Sequence, residues 1–331
     1  MRYGLLTYKE GKEKYNVGDY VQSLAARQFL PRTDQFINRE ELADYKGEEI
    51  KLIMNGWFTH NIHHWVPADA IDPLFVSFHM NNTAAPFMLS DKGIAYLKMH
   101  APIGCRDKYT VQILKDKGID AYFTGCLTLT LDNYKVDDAL RGDDIYIVDP
   151  FYNYPTLDKV LLTPKHFIKS VLNGNIFKLN KIKKQLKKVV DKDVLESANY
   201  VTQILPTGKQ TDSEKFAYAE ECLKKYAKAK LVITSRIHCA LPCLAMGTPV
   251  IFLNSFNTFV DTCRFDGIIE LFNRIDVADD GSFTNNFGLK GKINKITLVK
   301  NLGLHYKLVE SLKEKCSDFI NNKFNNSKNN N

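Results

Sequence analysis

The segment KLVITSRIHCALPCLAMGTPVIFL, residues 230–253, constrains the fold more than any other part of the chain. It opens on an apolar run at 231–234, passes through Ser235 and Arg236 into a helical pattern, turns at Gly247 and enters a second apolar run at 249–253. A glycine just past the last periodic residue is a helix stop signal. Two strands joined by a helical crossover lie parallel. Parallel strands are apolar throughout because helices cover both faces of their sheet.

The same alternation recurs along the chain. Further strands are expected at residues 3–8, 50–58, 74–79, 101–105, 119–123, 145–148 and 200–205. Helices are expected after Asp19, at 89–100 with Ser90 as cap, between Asp107 and Gly118, and at 178–192, 212–229, 237–246 and 306–319. In the first of these Gly18 would permit a tight turn and Asp19 would be the N-cap. Repeated strand–helix units mean an α/β protein with parallel sheets. A chain of 331 residues can bury two cores. The expectation is two Rossmann-like domains, residues 1–137 and 138–320, followed by a disordered Asn- and Lys-rich tail, 321–331.

Bulk properties exclude several classes. Hydrophobic residues make up 44% and charged residues 25%, a globular mixture. No run approaches the length of a membrane span. The opening MRYGLLTYKE has too short an apolar run for a secretory signal, so a cytoplasmic location is expected. Seven cysteines, an odd number without a CxxC pair, argue for buried thiols rather than disulfides or zinc. The net charge of +7 is concentrated in Lys178, Lys181, Lys183, Lys184, Lys187, Lys188 and Lys192. With Ile182, Leu186, Val189 and Val190 these form an amphipathic basic helix. It reads either as a peripheral contact for anionic lipid or as a solvated helix covering the second sheet. No nucleic-acid-binding module is present.

Three strand-to-helix turns are candidate sites, because ligands of open α/β sheets bind beyond the carboxyl ends of the strands. Ser235-Arg236-Ile237-His238 places a bidentate anion clamp and a neutral-pH proton carrier at a helix N-terminus. Gly104-Cys105-Arg106-Asp107 places a second arginine in an equivalent position. Asn16-Val17-Gly18-Asp19 lies in the first such loop. Each also has a structural reading, as a helix cap beside an ordinary ion pair or a packed histidine. GxGxxG and GxxxxGK[ST] are both absent, so no dinucleotide or phosphate-loop site follows. His60, His63 and His64 beside Trp57 and Trp65 lack an HExxH pattern, and the nearest useful acid is Asp69. No metal site is assigned there. The tryptophans read as core or lid packing, or as a platform for a sugar face.

The segments NVGD followed by Gln22, CRDKYTVQILKDKGIDAYFTGCLTLTL and TSRIHCALPCLAMGTPVIFL, in this order, resemble the polysaccharide pyruvyl transferase family. The resemblance spans roughly residues 4–255. It implies two Rossmann-like domains in a GT-B-like arrangement, phosphoenolpyruvate as donor and a sugar diol as acceptor. The product would be a cyclic pyruvate ketal in an exopolysaccharide, capsule, cell-wall polymer or lipid-linked glycan precursor, with phosphate released and no cofactor. It carries donor contacts to Arg106, Arg236 and His238, and marks Asp19 as a motif residue, with Ser235, Asn16 and Gly18 beside them. His238 is the expected acid and Asp19 an aid to acceptor deprotonation. Leu127 stands where many relatives carry proline. The alternatives are a GT-B-like glycosyltransferase using a nucleotide sugar and a non-catalytic glycan-binding protein.

Overall fold

The computed structural model describes residues 1–8, 14–58, 61–152, 154, 161, 164–174, 176, 179–255, 262–278 and 280–322. His60, Lys178 and residues 323–331 of the expected tail lie outside the described residues.

The first half contains β1 (Arg2–Thr7), β2 (Lys14–Asn16), α1 (Val17–Arg27), β3 (Gln35–Asn38), β4 (Ile50–Phe58) and β5 (Ile71–Met80). It continues with α2 (Ala85–Met88), α3 (Asp91–Met99), β6 (Ile103–Cys105), α4 (Lys108–Lys115) and β7 (Ala121–Phe123). The second half contains β8 (Ile145–Val148), α5 (Pro164–Leu172), α6 (Lys181–Val189), α7 (Lys192–Ser197), β9 (Asn199–Val201), β10 (Ile204–Pro206) and α8 (Asp212–Ala227). There follow β11 (Leu231–Thr234), α9 (Ile237–Met246), β12 (Val250–Ser255), β13 (Asn273–Val277), β14 (Phe283–Asn285) and α10 (Tyr306–Asn321).

One six-stranded sheet has the order β3-β1-β4-β5-β6-β7 and is parallel throughout. The other runs β14-β13-β12-β11-β8-β9, parallel except for its edge strand β14. Numbered by chain order within each sheet, both follow 2-1-3-4-5-6. Strand order therefore reverses beside β1 in one sheet and beside β8 in the other. Such switch points open a crevice at the strand ends.

The second sheet shows why its strands are apolar on both faces. Ile145, Ile147, Leu231, Ile233, Ile251 and Leu253 enter one buried cluster, while the alternate residues Val148, Val232, Val250 and Phe252 enter another. The latter cluster is continuous with the core of the first half through α1, α8 and α9. Six cysteines are buried thiols and Cys263 is half-buried.

Two local expectations are corrected, and the packing of the last helix is fixed. The run expected as one strand at 200–205 is two. β9 pairs parallel with β8, whereas β10 pairs antiparallel with β2 of the other half. Gln203 at the break is buried and joins the halves, its carbonyl accepting from Val17 N at 2.7 Å. The basic helix is shorter than 178–192, and Leu186 and Val189 are buried in the second core. Its apolar stripe thus faces the protein while Lys183, Lys184 and Lys187 are exposed. Finally, α10 follows the second sheet in sequence but packs on the first half, where Lys51 Nζ donates to the carbonyls of Phe319 and of Asn322 (2.6 Å). A lysine at the orphan carbonyls of a helix C-terminus is favourable in hydrogen bonding and in field.

Candidate active site

The NVGD turn lies at the switch point of the first sheet. Asn16 is extended, and its side-chain oxygen accepts from Gly18 N at 3.1 Å. Asn16, not Asp19, therefore caps α1, because the carboxamide already meets the first free N–H and the helix has begun before Asp19 is reached. Asp19 instead projects from the first turn. Gln22 Nε2 donates to it at 3.0 Å, Asn16 Nδ2 at 3.4 Å, and Arg39 Nη1 lies 3.8 Å away. Arg39 is buried, with its guanidinium over the rings of Tyr8 and Trp57 at 4.4 and 4.9 Å. A Cβ on Gly18 would lie 3.1 Å from both Cβ and Nδ1 of His238. The glycine lets the first half approach the SRIH turn of the second.

At the end of β6, Arg106 is 1% exposed, and its Nε and Nη1 make no hydrogen bond. Asp107 caps α4, its Oδ1 accepting from Thr110 N and Oγ1, each at 2.8 Å. Its Oδ2 lies 2.5 Å from His79 Nδ1 and 3.8 Å from Arg106 Nε. Burial, then the Arg106 charge, push the His79 imidazole down to about 4 despite this contact. Burial alone would raise the Asp107 carboxyl, but the His79 hydrogen bond and neighbouring charges hold it below its ordinary value. A neutral His79 thus donates Nδ1–H to an ionised Asp107.

The SRIH turn occupies the other switch point. Ser235 Oγ donates to Leu253 O at 2.6 Å and accepts from Phe151 N at 2.8 Å. That hydroxyl ties strand ends together. Arg236 Nε donates to Asp149 Oδ2 at 2.9 Å, and its guanidinium lies 3.9 Å from the Tyr152 ring centroid. Asp149 has φ of 41°, a region unusual for a residue with a side chain, and its Oδ2 also accepts from Gln203 N at 2.9 Å.

His238 is 7% exposed, and its Nε2 has no hydrogen-bond partner. Burial, then the charges of Arg106, Arg264 and Arg236, hold the imidazole well below its ordinary value, so it is neutral at pH 7. Its backbone is held in an unusual way. Pro242 sits four residues on within α9 and has no N–H to give the His238 carbonyl. Gln203 Nε2 donates to that carbonyl instead, at 3.3 Å.

The three motifs are therefore drawn together from both halves of the chain. Arg106, Arg236 and His238 form one electrostatic group, with Asp19 acting on Arg106 from the remaining motif. Sequence reasoning missed His79, Asp149, Gln203 and Arg264. The first two stand at the ends of apolar strands, where the rule that found the arginines would also have found them. Pro242 four residues after His238 signals an orphan carbonyl, but nothing local names Gln203 as its donor. Arg264, in DTCRF, carries no signal. Its Nε is also without a partner.

Beside Arg236 a cleft of about 600 Å³ is walled by Tyr152, Ile182, Leu186, Leu195 and Tyr200, with Lys183 and Lys187 at its margin. Trp65 packs against Phe75, Phe78 and Tyr96 and donates to Met88 O at 3.2 Å, as expected of a core residue. His64 pairs with Asp44. No group of three metal-ligating side chains occurs among the described residues. The chemistry this site suits is the binding of a small, multiply charged anion beside an imidazole able to take and return a proton.

The family model for polysaccharide pyruvyl transferase matches residues 16–255 of the chain. No curated protein matches it. Among solved structures, the crystal structure of a functionally uncharacterized protein from Klebsiella pneumoniae superposes with a TM-score of 0.43 at 12% identity, covering 80% of this chain and 88% of that one.

Proposed function

The chain belongs to the polysaccharide pyruvyl transferase family, and from that premise we propose that it transfers the pyruvyl group of phosphoenolpyruvate to two hydroxyls of a sugar, forming a cyclic ketal and releasing phosphate. The observation that carries this reading is the buried Arg106 with N–H groups unpartnered, whose charge, with those of Arg264 and Arg236, acts on the buried His238. A buried guanidinium without hydrogen bonds is costly, and a carboxylate or phosphate is the partner its geometry fits.

In this reading the arginines bind the donor's carboxylate and phosphate, and a GT-B-like arrangement brings the two halves around it. His238, neutral in the free protein, takes up a proton once the donor's negative charge offsets the guanidiniums. It then delivers that proton to the methylene carbon of the donor. A sugar hydroxyl adds to the adjacent carbon and loses its proton, with Asp19 the nearby carboxylate. The carbon–oxygen bond to phosphate breaks, and the second hydroxyl closes the ring, its proton leaving with the phosphate. Asn16 and Gly18 shape the floor on which the acceptor approaches. The acceptor is a precursor of an exopolysaccharide, capsule or cell-wall polymer and extends into the cleft beside Arg236. Phosphoenolpyruvate is a cytoplasmic metabolite, so the reaction belongs in the cytoplasm.

The test is incubation of the purified protein with phosphoenolpyruvate and a panel of sugar acceptors, following acceptor mass and phosphate. Coupled mass gain and phosphate release are expected. Arg106→Lys should lower kcat/KM by about 10²–10³, the scale for losing one preorganised donor to developing charge. Turnover of a nucleotide sugar with none of phosphoenolpyruvate would replace this reading with glycosyl transfer. Glycan binding without turnover of either donor would leave a binding protein.

A further inference from the structure

α5 is built unlike the other helices of this chain. Phe167, Ile168, Val171 and Leu172 are 43, 58, 46 and 80% exposed, and of the helix residues whose side chains are described only Ser170 is buried. At 100° per residue the four apolar side chains occupy one continuous arc. Lys165 and Lys169 border it. A soluble helix normally turns such a stripe inward, and a contiguous exposed apolar patch marks an interaction surface.

Charge identifies the occupant. Between Pro164 and Val190 the sequence has eight lysines and no Asp or Glu. The whole chain carries +7, so outside this stretch it is close to neutral. Next in sequence, α6 has its apolar stripe in the core and exposes Lys183, Lys184 and Lys187. In sequence, the lysines that make up the positive excess thus fall within or next to α5 and α6, and α5 is the helix that, among the described residues, carries this exposed apolar arc. No helix among the described residues is long and apolar enough to cross a membrane.

We propose that the arc of Phe167, Ile168, Val171 and Leu172 docks the protein on an anionic lipid surface. The four side chains enter the headgroup–acyl boundary, and the lysines of α5 and α6 face the anionic headgroups. Apolar burial together with attraction to anionic lipid is the binding mode of interfacial amphipathic helices. This docking goes beyond the pyruvyl-transfer reading and does not depend on it. It also assigns the apolar contact to α5, leaving α6 a purely electrostatic one.

The experiment is flotation of the full chain with phosphatidylcholine vesicles containing either no phosphatidylglycerol or about a third of it. Binding should appear on the anionic vesicles and fall at least tenfold in I168Q/L172Q, whose polar residues retain helix propensity. Circular dichroism and thermal unfolding should be unchanged in that exposed pair. K165E/K169E should weaken binding and make what remains less sensitive to added salt, because fewer charge contacts are left to screen. Three outcomes would overturn the proposal: no binding to anionic vesicles, equal binding by I168Q/L172Q, or a concentration-dependent dimer in sedimentation that I168Q/L172Q abolishes.

Discussion

His238 is kept neutral by burial first and then by Arg106, Arg264 and Arg236. An anion that neutralises those guanidiniums raises its proton affinity, so donor binding and protonation are linked. Calorimetry of phosphoenolpyruvate binding at pH 7, in buffers of different ionisation enthalpy, should show net proton uptake that disappears in His238→Gln. Uptake of equal size in that variant would take the proton away from this imidazole. His79 makes a separate statement about stability. Its value is depressed to about 4 in the fold, so the unfolded chain binds the extra proton first as pH falls. Its contribution is present above about pH 6.5 and is lost as pH falls from there toward 4, amounting to about 2 kcal/mol by pH 5. Urea unfolding of His79→Gln should therefore depend less steeply on pH between 6.5 and 5 than that of the parent.

At the scale of elements, the link between Gln203 and α9 decides how His238 is presented. Pro242 removes a rung of the helix ladder, and the chain crossing between the two sheets supplies the missing donor. Gln203→Leu should cost about 1–3 kcal/mol, the range for stranding a buried carbonyl, and should lower kcat more than it raises KM. Pro242→Ala restores an N–H four residues from the carbonyl. In that background Gln203→Leu should cost less than half as much, and additive effects in the cycle would disprove the link. Ser235 carries a similar lesson. Its place at a helix start made it a ligand candidate, yet its hydroxyl is engaged by Phe151 N and Leu253 O, which ties β11 to β12 and to the loop after β8.

Across the whole molecule, two sheets of one strand order are joined by shared packing. Tyr20 of α1 donates to Asp212 of α8 at 2.8 Å, Lys108 N donates to Asp266 O at 3.0 Å, and α10 returns to cover the first half. Leu312 of α10 is fully buried. Leu312→Ala should cost about 2–5 kcal/mol, and native-state hydrogen exchange should show the loss first in β4 and β5 rather than in the second sheet. Protection lost first in β11 and β12 would contradict that placement. Much of this design was legible before the fold was known. Apolar runs such as 231–234 and 249–253, separated by helical periodicity, require parallel strands whatever surrounds them, because a strand buried on both faces needs apolar side chains on both. The Ser90 cap and the Gly118 stop are likewise local, set by one side chain or one backbone conformation. The partners of the site are of another kind. That Gly18 meets His238, that Gln203 answers Pro242, that Arg264 joins Arg106, and that α10 covers the first half all depend on residues tens to hundreds apart in the chain. Sequence periodicity reports which face of an element is buried, but only the packed fold decides what it is buried against.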